Sequence, residues 1–231
     1  MRVLAVDAAT EACTVALLSG DELIGRVAEG APSHARQILA MVDAVLAEAQ
    51  VSLGMLDGIA ASIGPGAFTG VRISVAVAQG LAFGADLRVA AVTTLEALAA
   101  QVPQNLSVIA CLDARMGEVY WGCFTVDAGR GWVAASSPAA VGPPESVVLP
   151  SPSVHRGIGR GFAAHPQLAA LPGLELSLED SLALPNAREI ARLGALRLSH
   201  GEGLDPVDLI PLYLRDKVAL TEAERRQPRA P

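Results

Sequence analysis

At 231 residues, 52% hydrophobic and only 18% charged, the chain is too apolar for disorder and long enough for one large domain or two small lobes. Twenty-four acidic residues against seventeen basic leave a formal charge of −7, which argues against a stand-alone nucleic-acid binder that works by neutralising phosphates. Cys13, Cys111 and Cys123 lack any CxxC spacing and point to buried, reduced thiols, while Asp7 and Glu11 interrupt the N-terminus before a signal-peptide core could form.

In chain order, RVLAVDAA, CTVALLS and ELIGRVAE read as three short strands, with Gly20-Asp21 at the second turn. Ser33 is expected to cap a helix from about His34 to Gln50, followed by a strand over Asp57–Ile63. After the loop SIGPGAFTGVRIS a helix is expected from Gly70 to Phe83, ending at Gly84 as a left-handed cap. A strand RVAAV and a helix Thr94–Gln101 complete this unit. The same order then begins again: SVIACLDA, EVYWGCF and GWVAASS are strands, with Met116-Gly117 at the first turn. A helical piece near Glu145, a strand Val154–Ile158 and helical FAAHPQLAAL follow, interrupted by proline-rich loops. A last helix is expected from Asn186 to Ser199. Val71–Leu87 is the most apolar stretch, but it holds Arg72, Gln79 and two glycines, so a soluble cytoplasmic chain with no membrane contact is expected.

Two copies of one supersecondary unit, 1–104 and 105–231, indicate a duplicated α/β architecture with a truncated second lobe. Each copy closes its first strand with an aspartate, Asp7 and Asp113. That pattern resembles the sugar-kinase, Hsp70 and actin superfamily, the ASKHA fold, in which hairpins after the two aspartates grip the phosphates of ATP. The resemblance makes Asp7, Thr10, Gly64, Gly66, Thr69 and Asp113 the candidates for a remnant nucleotide cleft. The superfamily turn Asp-x-Gly-Thr, however, is here Asp7-Ala8-Ala9-Thr10 and Asp113-Ala114-Arg115-Met116, so Ala9 and Arg115 stand where glycine would admit a phosphate. Weak ATP or ADP binding is the most this allows, and no cofactor is expected to be required.

The GPGAFTG loop lacks the lysine of a Walker motif, and Gly70 falls one residue too late for GxGxxG. It reads as a turn into a helix N-terminus that binds an anion weakly or as a tight turn with positive φ. The histidines, at 34, 155, 165 and 200, have no metal-ligand spacing, so no metal is expected. The clustered Arg225, Arg226 and Arg229 read as a solvated tail, with a local basic patch as the alternative.

Ile38, Met41, Val42 and Val45 form the i, i+3, i+4, i+7 stripe that should face the sheet, yet the opposite face is dominated by Ala40, Ala44 and Ala47. The next helix is apolar all round. Either it is buried within the lobe, or the two helices lie side by side against another protein.

Together DAATEACTVALL, SIGPGAFTGVRIS, LDARMGEVYWG and PLYLRDKV resemble the bacterial TsaB family, also called YeaZ. The resemblance implies a non-catalytic paralogue of TsaD, the protein that transfers a threonylcarbamoyl group to the adenosine beside the tRNA anticodon. The metal-binding HxxxH pair of TsaD is here His34-Ala35-Arg36-Gln37-Ile38, without its second histidine. It further implies a heterodimer with TsaD through the first lobe's helices, an added ATPase, TsaE, a homodimer over much the same surface, and tRNA contact only within the complex. On this reading His34, Ile38, Met41, Val42, Val45, Val71, Arg72, Val75 and Gln79 are expected to meet the partner. An independent ATP-dependent small-molecule kinase of the same fold is the alternative, with Asp7, Thr10 and Asp113 handling Mg²⁺ and phosphate. A peptidase is a third, weakened by the missing ligand spacing.

Overall fold

A computed structural model describes residues 1–30, 34–102, 106–127, 129, 131–150 and 154–215. The expected cap Ser33 and the arginines at 225, 226 and 229 lie outside the described residues. The first sheet is built from β1 (Arg2–Asp7), β2 (Ala12–Ser19), β3 (Glu22–Glu29), β4 (Gly58–Ser62) and β5 (Val89–Val92), in the order β3-β2-β1-β4-β5. β1 to β3 form an antiparallel meander, and β4 and β5 join in parallel. Parallel pairing needs a crossover, supplied by α1 (His34–Ala49) before β4 and α2 (Phe68–Ala85) before β5. α1 packs on β2 and β3, and α2 on β1 and β4, so the two helices are neighbours on one face and touch.

The second half repeats the plan. β6 (Ser107–Arg115), β7 (Glu118–Asp127) and β8 (Trp132–Ala135) are antiparallel, and β10 (His155–Ile158) and β11 (Leu174–Glu175) join β6 in parallel, in the order β11-β10-β6-β7-β8. A short β9 (Ala140–Gly142) also pairs with β7. The connections are reduced. A 3-10 turn at Pro144–Ser146 stands where α1 stands in the first half, and α4 (Gly161–Ala164) with a second 3-10 turn replaces α2. Proline at 143, 144 and 166 explains the shortening, since it removes the backbone donor a longer helix needs. β9, β11 and α5 (Leu178–Leu182) were not foreseen, being too short to show a period.

Two helices change sides. α3 (Thr94–Ala99) follows the first sheet in sequence but packs on β6 and β7, whereas α6 (Ala187–Ser199) covers β1, β2, β4 and β5. The two sheets thus separate in sequence between β5 and β6, but the helices that cover them do not. Gly194 lets α6 lie flat on the first sheet, because a Cβ there would overlap Ala60. Leu95 and Leu98 of α3, Ile190 and Leu193 of α6, Val3 and Ala60 of one sheet and Val108 and Phe124 of the other form one continuous core. Arg197 pins the exchanged helices together through Glu96 at 2.6 Å, and Glu96 also closes a capping box on Thr93.

α2 runs past the expected stop. Gly84 is exposed inside the helix, and Asp86 takes the left-handed cap at φ 54°. A helix propagates wherever the next residue allows it, and Asp is one of the few side chains that tolerate this cap conformation.

Candidate functional site

Two regions carry the functional expectations: the outer face of α1 and α2, and the cleft between the two hairpin turns. On the helices, the apolar stripe goes where the amphipathic pattern sends it. Ile38, Val42, Val45 and Val75 are buried in the first lobe's own core, and Val71 is buried where it lines the cleft, so as partner-contacting side chains on the outer helix face all five are corrected. Met41 is half-buried against the same core. Gln79 is half-buried, and its amide donates to the carbonyls of Pro206 at 2.9 Å and Leu209 at 3.1 Å. His34 opens α1, and its side chain lies outside the described residues.

What remains outward includes Arg36, Asp43 and Glu48 on α1, but large apolar side chains stand among them. Leu39 is 48% and Phe83 62% exposed, joined by exposed Phe68, Ala40, Ala44, Ala47 and Ala76, with half-buried Ile73 and Val77. Arg72 is the expected residue that does lie on this surface. Its guanidinium sits 3.6 Å over the Phe68 ring, and its Nε donates to the Tyr213 hydroxyl at 2.8 Å. Leu39 and Phe83 escaped the sequence reading because the inward stripe drew attention. They were legible as large apolar residues on the side that stripe leaves to solvent.

The cleft, of about 310 Å³, lies between the β1–β2 turn, the start of α2, the β6–β7 turn and residues 212–215. Of the expected cleft residues, Thr10, Gly66 and Asp113 line it; Asp7, Gly64 and Thr69 do not. Asp7 is fully buried, accepts at Oδ1 from the Ser62 hydroxyl and from the Ala9 N–H at 3.0 Å, and leaves Oδ2 without a hydrogen-bond partner. Burial pushes its carboxyl up to about 6, against the pull of those hydrogen bonds. The Thr10 hydroxyl oxygen is also buried and unpartnered.

The glycines of the opening loop have a packing role. A Cβ at Gly66 would overlap the Ala9 carbonyl and one at Gly70 the Ala8 carbonyl. The loop is drawn close by the Ala67 N–H donating to Ala9 O at 2.7 Å, and Ser74 Oγ accepts the Ala8 N–H at 2.8 Å. Gly64 sits at φ +100°, where a side chain would be strained and would press on the Leu212 carbonyl. α2 is thus clamped onto the first hairpin by backbone contact.

Across the cleft Arg115 takes a left-handed conformation at φ 62° and reaches back. Its guanidinium pairs with Asp113 at 3.0 Å in its own hairpin and with Glu11 at 3.1 Å in the other. Arg160 pairs with Glu29 at 3.5 Å, and Arg215 with Glu118. The cations around the cleft are therefore already matched by carboxylates of the chain itself. Among the described residues no group of three or more His, Cys, Asp or Glu is arranged to hold a metal ion.

Comparison with known proteins agrees with this architecture. Residues 28–223 match the family model of TsaD, the tRNA N6-adenosine threonylcarbamoyltransferase. The chain is 34% identical to the tRNA threonylcarbamoyladenosine biosynthesis protein TsaB of Haemophilus influenzae, over 98% of this chain and 99% of that protein. It is 36% identical to TsaB of Escherichia coli, over 95% and 96%. The solved structure of YeaZ from Pseudomonas aeruginosa superposes with a TM-score of 0.84 at 37% identity, covering 92% of this chain and 99% of that one. The two-lobed fold is that of the actin-like superfamily, and the chain belongs to the TsaB (YeaZ) family.

Proposed function

We propose that this chain is a cytoplasmic, non-catalytic scaffold subunit in tRNA threonylcarbamoyladenosine biosynthesis, pairing with a TsaD-like paralogue through the outer face of α1 and α2. The names of its relatives supply the pathway. The observation that carries the scaffold role is the pair of touching helices whose solvent side presents Leu39, Phe68 and Phe83, where a self-sufficient surface would be polar. A TsaE-like ATPase joins the pair, tRNA is met only within the assembly, and a homodimer uses much the same face when the paralogue is scarce. The cleft binds ATP or ADP weakly, since its arginines are engaged internally and Arg115 spans the two hairpins. This arrangement speaks against an independent kinase, which needs free cationic groups and open hairpins for the phosphates.

The test is size-exclusion chromatography with light scattering, on this chain alone and mixed with the TsaD-like protein of its organism. A one-to-one complex is expected. Leu39→Asp combined with Phe83→Asp should abolish it while the circular dichroism stays native, because both side chains are largely exposed. A complex that survives both substitutions would place the interface elsewhere.

A further inference from the structure

Beyond the two helices, residues 204–215 form a strap with no regular strand or helix longer than the 3-10 turn Pro206–Asp208. Leu204 bridges Val89 at the free edge of β5, and Leu209 is fully buried in the core beneath α2. From there the strap runs along the side of α2 away from α1. The Gln79 amide holds Pro206 and Leu209, Arg72 holds Tyr213, and the Leu212 N–H donates to Ile63 O at 2.7 Å. Across the first lobe, α1 over β2 and β3, α2 over β1 and β4, and the strap beside β5 lie as three adjacent tracks.

The strap is anchored, yet its outward residues are apolar. Val207 is 64% and Ile210 70% exposed, and Tyr213 is exposed beside Phe68. The Val207 and Ile210 side chains contribute little to the fold while their neighbours Leu209, Leu212 and Tyr213 are tied down. A docked backbone that turns apolar side chains to water is pre-organised for contact, because the entropy of ordering it is already lost on folding.

The area required by an interface supports the same conclusion. Two helices side by side, each about 25 Å long and about 10 Å across, present about 500 Å² of face. A stable interface takes about 800 Å² from each partner. The eight residues from Pro206 to Tyr213, a 3-10 turn followed by irregular chain spanning at most about 20 Å in all, supply part of the difference. Phe68 and Tyr213, which also line the mouth of the cleft, and Arg72 beside them are the residue types that carry binding energy at such surfaces.

We infer that the strap is the third element of the partner-binding face, with Val207 and Ile210 meeting the TsaD-like paralogue directly. This rests on the scaffold reading above and extends it to a segment that neither helix periodicity nor the glycine loop indicated.

The experiment measures affinity for the paralogue, by titration calorimetry on the full chain, for Val207→Asp and Ile210→Asp. Each is expected to weaken binding at least tenfold with an unchanged melting temperature. Hydrogen exchange of the amides of Val207 to Ile210, Leu212 and Tyr213 should slow further on complex formation. Leu178→Asp, an apolar residue 79% exposed on the second lobe, serves as the control and should bind as the parent does. If the strap variants bind within twofold of the parent while Leu39→Asp with Phe83→Asp abolishes binding, the face is the two helices alone and the inference falls. If the helix variant also binds normally, the scaffold interface itself is misplaced. If Val207→Asp and Ile210→Asp dissociate only a homodimer, the strap serves self-association and its assignment to the paralogue is overturned.

Discussion

Asp7 and Asp113 end the first strands of two equivalent sheets, but their surroundings have diverged. Asp7 is sealed beneath the start of α2, with one oxygen held by Ser62 and Ala9 and the other unpartnered. Asp113 opens into the cleft, where Arg115 pairs with it and His165 lies 3.7 Å away. The difference follows from what covers each hairpin. An 18-residue helix presses on the first through Gly66 and Gly70, whereas the four-residue α4 cannot cover the second in the same way. Duplication thus produced one hairpin held by packing and one held by ion pairs.

The sharpest way to break this contrast is to put a methyl group on the α2 glycine that packs on the first hairpin and on the glycine within the second. Gly70→Ala drives a Cβ into the Ala8 carbonyl, backbone against backbone, and should cost at least about 3 kcal/mol or prevent folding. Gly117→Ala, at φ +80° with open space around it, carries only the left-handed penalty of about 1 kcal/mol. Urea denaturation of the two variants decides it. Equal losses would mean that the first hairpin is not clamped as described.

A smaller effect should appear in the pH dependence. The Asp7 pKa, about 6 in the folded chain, lies above the ordinary value of 3.8. The folded state therefore binds a proton that the unfolded state releases between those values. The stability this contributes is complete below about pH 4 and lost as the pH rises through about 6. Asp7→Asn removes the buried charge and should gain up to about 3 kcal/mol at pH 8, with the gain vanishing at pH 4. Asp113→Asn, which gives up an ion pair at a partly exposed site, should change stability by less than about 1 kcal/mol. If Asp7→Asn is no more stable than the parent at pH 8, the carboxylate is better solvated than its burial implies.

Much of this organisation was legible in the sequence, and the failures are instructive. The two meanders, the crossover helices and the repeat followed from strand alternation, the 3.6-residue stripe and the two aspartates. The exchange of α3 and α6 was not legible, because periodicity reports that a helix has an apolar face but not which sheet receives it. Ile190 and Leu193 would serve equally well on either sheet. The stripe Ile38, Val42 and Val45 is read from periodicity as facing the sheet, and it is buried there; only the family resemblance had set these side chains against a partner. The strap escaped because irregular backbone has no period. Its anchors, Gln79 to Pro206 and Arg72 to Tyr213, span more than 120 positions of sequence. The GPGAFTG loop allowed a weak anion site or a tight turn. The overlap of added Cβ atoms at Gly66 and Gly70 with the Ala8–Ala9 carbonyls favours close packing, which a motif alone could not reveal.

The smallest expected effect separates the two hairpins at the positions where a phosphate-gripping turn would carry glycine. Arg115 occupies the left-handed region, and Ala9 does not. Arg115→Gly and Arg115→Ala both lose the pairs with Glu11 and Asp113, which are worth at most about 1 kcal/mol at this exposed site. Only glycine relieves the strained backbone, so Arg115→Gly should be more stable than Arg115→Ala by about 1 kcal/mol. Ala9→Gly should shift the other way, losing about 1 kcal/mol, because there glycine adds freedom to the unfolded chain and removes a buried methyl group. Opposite signs at equivalent positions would show that the second hairpin retains the backbone of a glycine turn under an arginine side chain. A loss from Arg115→Gly as large as that from Arg115→Ala would instead show that the ion pairs, and not the backbone, set the shape of that turn.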